Sequence, residues 1–293
     1  MVSQRIIDIL RDDGPVILMR KAGGLTKRKF LNLVDPLRYR YHRTRSDGES
    51  IVRDVQGSKM RLYFETNGID EKLIMRGVRE PYATRRVKFD YESLCDSYEG
   101  EITVFDIGSN IGYYALLASH VFGHRAEVHA FEPEPQNVNR LKKNIGLNSY
   151  DIYVHQQAVG DELGEVKIAL HTASNRHSVA DLERFEDTGT ISVPQTTLDQ
   201  YVDKFDADGL VIGRIDVEGY EWHVLQGMCG VLESDQDCYL FVEIHSSLNT
   251  DQVEWIQQTL VENGFDISWV QYGDEDEWPS DVTFHIIARR IQR

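Results

Sequence analysis

Val104-Phe-Asp106-Ile-Gly108-Ser109-Asn110-Ile-Gly112 is the stretch whose reading decides the fold. It completes an apolar run that begins at Ile102 and leads directly into Tyr113-Tyr-Ala-Leu-Leu-Ala118, a helix-forming segment, so its glycines fall in a strand-to-helix turn. Gly108 lets the backbone pass close to a ligand there, and Gly112 lets the helix start close to the sheet. In such sheets the ligand lies outside the carboxyl ends of the strands. The spacing departs from the G-x-G-x-x-G of dinucleotide folds, because Asn110 stands where a second glycine would admit a pyrophosphate. A nicotinamide dinucleotide is therefore not the expected ligand.

Outward from this turn, strand and helix alternate in the pattern of a parallel sheet covered on both faces. The spacing predicts strands at residues 102–107, 127–131, 152–159, 210–216 and 239–244, with helices at 112–122, 136–147, 198–205 and 220–233. A helix over 251–263 precedes two more strands, 265–270 and 282–288, joined by the acidic turn Gly273-Asp-Glu-Asp-Glu277. The result is an α/β, Rossmann-like sheet of seven strands ending in an antiparallel hairpin. Residues 161–197 interrupt the alternation with two short strands, 165–170 and 190–193, around the polar run Thr172-Ala-Ser174-Asn175-Arg176-His177-Ser178, which suits an acceptor pocket for a sugar and equally an ordinary surface loop. Residues 1–98 read as an N-terminal extension to a main domain over 99–293. The extension holds a basic segment with an apolar patch at Ile6, Ile7, Ile9 and Leu10, a hairpin over 51–64 turning at Gln56-Gly57-Ser58, and helices on either side of Pro81.

With 41% hydrophobic residues in 293, the chain has material for one large core. No apolar run approaches the ~18 to 20 residues of a membrane-spanning helix, and Pro15-Val-Ile-Leu-Met19 is too short for a signal-peptide core, so the expected location is the cytoplasm. Cys95, Cys229 and Cys238 lie far apart without a C-x-x-C pair and read as reduced packing residues. The net charge of −16 argues against a nucleic-acid partner. Residues 1–45 nevertheless hold eleven Lys and Arg against four Asp, a net +7 that leaves −23 on the remainder. This segment can rest on the acidic body, touch the inner face of a membrane peripherally, or bind a phosphate-bearing substrate carrier.

The second predicted strand ends in Phe131-Glu132-Pro133, which sets a carboxylate beside the Gly108 turn. A carboxylate there can accept both hydroxyl hydrogen bonds of an adenosine ribose, and Pro133 and Pro135 suit the entry to the next helix.

At this point the chain resembles the FkbM family of S-adenosylmethionine-dependent methyltransferases, from about Gly68 to Glu243. The resembling segments are Gly77-Val-Arg-Glu80-Pro81, Phe105-Asp-Ile-Gly-Ser-Asn-Ile-Gly-Tyr-Tyr114, Phe131-Glu-Pro-Glu-Pro135, Gln157-Ala-Val-Gly160, Thr197-Leu-Asp199 and Arg214-Ile-Asp-Val-Glu-Gly-Tyr-Glu221. Two positions depart from the family pattern, Ser109 for an alanine and Arg214 for a lysine. The resemblance implies a class I methyltransferase fold and methylation of hydroxyls on sugars, polyketides or other secondary metabolites. It places Asp106, Gly108 and Asn110 near the methionine portion of S-adenosylmethionine, Glu132 on the ribose and Gln157-Ala158 beside the adenine. Glu80, Ser109, Gly112, Pro133 and Asp216 complete the cofactor site it implies.

Methyl transfer to a hydroxyl needs the acceptor aligned in line with the sulfonium and its proton removed. Ile215-Asp216-Val217-Glu218-Gly219 and Phe241-Val-Glu243-Ile-His245 end two neighbouring strands, so Asp216, Glu218, Glu243 and His245 are the candidate catalytic groups, one of the last three activating the acceptor; the alternative is that they cap the following helices or pair with Arg214. Asp216 and Glu243 make a partial oxygen set for Mg²⁺ with no third ligand evident, so no metal site is assigned. His120 and His124, at i, i+4 spacing, read as groups near a helix end, followed by Arg125, rather than as a metal pair. Tyr113, Tyr114, Tyr220 and Trp222 can stack on a ring but suit a core equally. The expected partner is a small-molecule, glycan or glycolipid acceptor. A nitrogen or carboxyl acceptor, or a cofactor-binding partner without activity in a biosynthetic complex, are the alternative readings.

Overall fold

The computed structural model of the chain describes residues 27–46, 48–64, 68–169, 189–202, 209–245, 247–271 and 284–291. The basic segment to residue 26, the polar run Thr172–Ser178 and the acidic turn Gly273–Glu277 lie outside the described residues. Helix α1 (Lys27–Thr44) leads into the hairpin of β1 (Ser50–Val55) and β2 (Ser58–Tyr63). Its turn residues Gln56 and Gly57 both have positive φ, 54° and 92°, the signature of a type I′ connection. Helices α2 (Ile69–Arg76) and α3 (Pro81–Ser97) follow. Gly77 ends α2 in the left-handed region, and Pro81 opens α3 where its missing N–H costs nothing.

The chain then runs β3 (Ile102–Ile107), α4 (Tyr113–Phe122), β4 (Ala126–Phe131), α5 (Pro135–Ile145), β5 (Ile152–His155), β6 (Ala158–Val159), β7 (Gly164–Ala169), β8 (Thr190–Thr196) and α6 (Asp199–Val202). It continues with β9 (Leu210–Ile215), α7 (Glu221–Gln226), α8 (Cys229–Glu233), β10 (Cys238–Ile244), α9 (Thr250–Glu262), β11 (Asp266–Gln271) and β12 (Phe284–Arg290). Seven strands form one sheet in the order β11-β12-β10-β9-β3-β4-β5, with β12 antiparallel to both its neighbours. The hairpin partner β12 thus sits between β10 and β11. From β3 the chain builds outward through β4 and β5, and it later returns to the other side of β3 with β9 and β10. The β3/β9 boundary is therefore the topological switch point, where open α/β sheets bind ligands.

Alternate residues of each strand serve opposite faces. Val104, Ile212, Phe241 and Ile287 pack with α3, α4 and the β1–β2 hairpin, while Phe105, Val211, Leu240 and Val242 pack with α7, α8 and α9. The hairpin and α2–α3 share one apolar cluster with the sheet, through Met60, Leu62, Leu73, Val87 and Tyr91.

Two predicted elements are divided. The run 152–159 breaks after His155, because Ala158–Val159 leaves the main sheet to pair with β8 in a second sheet, β6-β8-β7, formed by the interrupting segment. The break falls at the polar His155-Gln156-Gln157, and the change of partner is not visible in the sequence. The helix over 220–233 breaks at Gly227-Met228. A Cβ on Gly227 would stand 1.8 Å from the Gly160 carbonyl oxygen, so the helix turns where the backbone of the β6 end presses against it.

Candidate active site

An open cleft of about 660 Å³ lies at the carboxyl ends of β3, β4 and β9. Its floor is the Gly108 turn. Gly108 and Ser109 both donate their backbone N–H to the Phe131 carbonyl, at 3.0 and 2.9 Å, tying the end of β3 to the end of β4. Asn110 takes a left-handed φ of 50°, which aims its N–H at Glu132 Oε2, 2.8 Å away. Glu132 Oε1 accepts from the Glu134 N–H at 3.0 Å and from Asn137 Nδ2 at 3.4 Å. The carboxylate is thus fixed from behind while it lines the cleft. Burial raises its pKa to about 7, against the lowering effect of those N–H donors. Ile107, Phe131, Ala158, Val159 and Ile168 supply the apolar wall, and Gln157, Asn137, Tyr220 and Pro133 also line the cleft. Gln157 Nε2 donates to the Tyr201 hydroxyl, which orients the amide.

Beyond Gly108 the cleft is lined by Arg79, Asp216 and Glu218, and behind them lies a buried charged cluster. Pairing register creates it: Asp106 sits opposite Arg214 across β3 and β9, and Glu243 sits opposite His285 across β10 and β12. Arg214, 1% exposed, sends Nη2 to Asp216 Oδ2 at 2.5 Å and places its guanidinium 4.2 Å above the Tyr114 ring. Arg79 Nη2 donates to the same Asp216 Oδ2 at 3.0 Å, and its Nε donates to Glu80 Oε1 at 2.7 Å. Burial alone would raise the Asp216 pKa, but Arg214 and Arg79 hold it well below the usual carboxylate range. Glu243 shifts the other way, well upward, through burial and the nearby Asp216 and Glu80 charges.

His245 follows β10 and is held from one side. Its Nδ1 lies 2.7 Å from Glu221 Oε1, and that fully buried oxygen also accepts the Gly219 N–H at 3.0 Å. Its Nε2 faces Glu218 Oε2 at 3.4 Å, Glu243 Oε1 at 3.7 Å and Asp216 Oδ1 at 3.8 Å. Burial lowers the imidazole pKa, yet Glu221, Glu243 and Glu218 together raise it well above its ordinary value. Burial lifts Glu218 to about 7, offset in part by His245. Among the described residues, three of the four non-glycine residues with positive φ, Glu80, Asn110 and Glu218, stand around this site, each backbone strained by about 1 to 3 kcal/mol.

The structure brings Asp216, Glu218, Glu243 and His245 together, as the strand ends predict. Gly108, Asn110, Glu132, Pro133, Gln157, Ala158 and Asp216 line the cleft. Asp106, Ser109 and Gly112 lie behind its wall. Asp106 accepts the Ala115 N–H at 3.0 Å and faces Arg214 at 3.7 Å, Ser109 Oγ donates to the Asp106 carbonyl at 2.7 Å, and Gly112 makes room for Leu141 of α5, not for the sheet. Gly108 gives room to protein as well as to a ligand, since a Cβ there would lie 1.9 Å from the Asp216 carbonyl oxygen. Glu80 is engaged with Arg79 and, at 3.4 Å, with the Tyr114 hydroxyl. Tyr113 and Tyr114 are core residues, Trp222 packs against Trp255, and Tyr220 alone of the four aromatics lines the cleft. His120 Nδ1 pairs with the Tyr150 hydroxyl at 3.3 Å, away from the site. Arg79, Glu221 and His285 are the members that sequence reasoning passed over. Arg79 stood inside the quoted Gly77–Pro81 segment, and Glu221 ends the Arg214–Glu221 segment.

This strand order, with a glycine turn after its first strand and a carboxylate after its second, is the Rossmann-like sheet of class I methyltransferases. The model of the methyltransferase FkbM domain matches residues 106–267, over half of the chain, and the chain belongs to the FkbM methyltransferase family. It is 25% identical over 194 residues to the hexuronic acid methyltransferase AglP of Haloferax volcanii, covering 64% of this chain and 76% of that protein. Among solved structures it is similar to an S-adenosylmethionine-dependent methyltransferase of Agrobacterium tumefaciens, with a TM-score of 0.47 and 12% identity over 84% of this chain and 72% of that one. It is also similar to Aeropyrum pernix fibrillarin with natively bound S-adenosylmethionine, with a TM-score of 0.39 and 14% identity over 69% and 74% of the two chains. The family's methyl donor, S-adenosylmethionine, is the cofactor of this chain. No helix among the described residues is long and apolar enough to cross a membrane.

Proposed function

We propose that the chain methylates a hydroxyl of a glycan, glycolipid or secondary metabolite, with a uronic-acid sugar as the first acceptor to test. The observation that carries this reading is the junction at Asp216 and Glu218, which line the cleft and at the same time border His245 and Glu243. The residues suit the cofactor. Glu132 offers oxygen lone pairs toward a diol, and the Phe131, Val159 and Ile168 wall suits a flat base. Arg79 brings positive charge to the carboxylate of the methionine portion, while Asp216 and Glu218 set negative charge where the sulfonium belongs. Asn110 and Gly108 give the close backbone floor between them. S-adenosylmethionine supplies a methyl carbon whose bond to sulfur breaks, the pair remaining on sulfur, as the bond to the acceptor oxygen forms.

The protein's own contribution is alignment and removal of the hydroxyl proton. The acceptor oxygen is placed on the Asp216–Glu218 side, and its proton is drawn off at the Glu218, Glu243 and His245 cluster. A carboxylate-bearing sugar is supported by the likeness to a hexuronic acid methyltransferase. Incubation with labelled S-adenosylmethionine and a panel of uronate-bearing and neutral glycans tests the reading. The expected product is a methyl ether stable to mild alkali. An alkali-labile methyl ester would overturn it in favour of carboxyl methylation.

A further inference from the structure

The geometry points to a divalent-cation site formed by His245 Nε2, Asp216 Oδ1 and Glu218 Oε2, beside the cofactor cleft. Three observations support it. The first is spacing. The Glu218 and Asp216 oxygens stand 3.4 and 3.8 Å from His245 Nε2, and the ligand atoms of Asp216, Glu218 and His245 all lie within 4.8 Å of one another. Nitrogen and oxygen atoms around a tetrahedral first-row metal, with bonds of about 2.0 to 2.2 Å, are separated by roughly 3.3 to 3.6 Å, which the Glu218 oxygen meets and the Asp216 oxygen, at 3.8 Å, meets on a small inward movement.

The second is the division of labour within Asp216. Both guanidinium groups, of Arg79 and Arg214, are spent on Oδ2. Oδ1 has no hydrogen-bond partner, although the side chain is 97% buried, and it is turned toward His245 Nε2. A buried carboxylate oxygen left in this way is costly unless something positive meets it. The third is the support behind the histidine. Glu221 Oε1 faces Nδ1 at 2.7 Å, so that when a cation displaces the Nε2 proton that nitrogen becomes the ligand atom, the carboxylate–histidine arrangement that typically orients a metal-bound imidazole.

One nitrogen with two carboxylate oxygens suits Mn²⁺ or Zn²⁺ better than Ca²⁺ or Mg²⁺, which favour oxygen alone. Such a cation has room for the acceptor oxygen on its cleft side, where Asp216 and Glu218 line the wall. Coordination there would acidify a hydroxyl, whose proton would pass to Glu243 outside the ligand set, and fix its lone pair for in-line attack. This role rests on the function proposed above; the binding of the cation does not.

The test uses the full chain stripped with chelator and titrated with Mn²⁺ alone, followed by electron paramagnetic resonance and calorimetry, with S-adenosylmethionine binding measured separately. One Mn²⁺ per chain is expected. His245→Ala and the better-filling His245→Gln should each weaken it at least 30-fold, and Glu221→Gln by roughly 10- to 100-fold. Glu132→Gln should leave Mn²⁺ binding unchanged while weakening the cofactor. Absence of Mn²⁺ binding, or binding that both His245 variants retain, would overturn the site. Methylation of a glycan hydroxyl that persists in chelator would remove the cation's role and leave the proposed function standing. Mn²⁺ bound at His245 by a chain that methylates no hydroxyl would do the reverse.

Discussion

Around Glu132 a single carboxylate is held by the backbone N–H groups of Asn110 and Glu134, whereas at the ends of β9 and β10 Asp216, Glu218, Glu221 and Glu243 are held by two arginines and a histidine. The first side is a backbone construction. Its donors are placed by a turn and a helix start, so the seat they form depends on no charged partner. The second side is a construction of side-chain charge, in which removing one partner leaves another buried and uncompensated. Gly108 is the seam between them, in contact with the Phe131 carbonyl on one side and the Asp216 carbonyl on the other. Binding and stability should therefore separate when the two sides are perturbed.

The largest effect is expected at Arg214→Met. It removes the cation shared by Asp106 and Asp216 and should cost about 3 to 5 kcal/mol, read as a fall in Tm of roughly 10 °C. A loss under about 1 kcal/mol would show that the charged side does not hold the fold. Gly108→Ala comes next, because its Cβ meets the Asp216 carbonyl and φ is +83°; a loss of about 2 to 4 kcal/mol should come with lost cofactor binding, since the seam serves both sides. Glu132→Gln keeps one acceptor oxygen but turns an amide NH2 toward the other backbone donor, so stability should fall by about 1 to 3 kcal/mol while calorimetry shows cofactor affinity falling roughly 10- to 100-fold. Equal damage to stability would break the contrast.

The smallest effect sharpens the comparison by pH. The Glu132 pKa is raised to about 7 in the protein without ligand, and hydroxyl donors favour the ionised form. Affinity for S-adenosylmethionine should be full above pH 7 and fall about tenfold per unit as pH drops below it. Glu132→Gln should flatten that slope, and a slope unchanged in the variant would assign the titration to another group.

What was legible in the sequence follows the same division. The Asp106–Gly112 turn, Glu132 and the strand alternation are local signals, with periods and spacings that a single segment contains. Asp216, Glu218, Glu243 and His245 were placed by one further rule, that neighbouring parallel strands bring their carboxyl ends together. Arg79 reaches Asp216 from the end of an extension 137 positions earlier, and no local pattern announces that contact. Glu221 stands opposite His245 only because α7 starts where Gly219 turns the chain. Gly227 illustrates the same limit in the fold, since a helical pattern continues through it while the Gly160 backbone forbids a continuous helix. The roles of Asp106 and Gly112 were read as contacts with ligand and sheet, and they are spent on the start of α4 and on Leu141.

The place of β12 bears on the order in which the site is made. It is the last of the seven strands in chain order, yet it lies between β10 and β11. During synthesis β10 therefore shows an unpaired edge, and β11 has no neighbour in the sheet, until residues 284–290 arrive to fill a slot with two open sides. The strands around Gly108 and Glu132 need no such wait. The nascent protein can shape its cofactor cleft early, while His285 reaches its position opposite Glu243 with the closing strand. A ribosome-bound chain halted before β12 would thus carry half a site, and the exposed β10 edge is where a chaperone would find it.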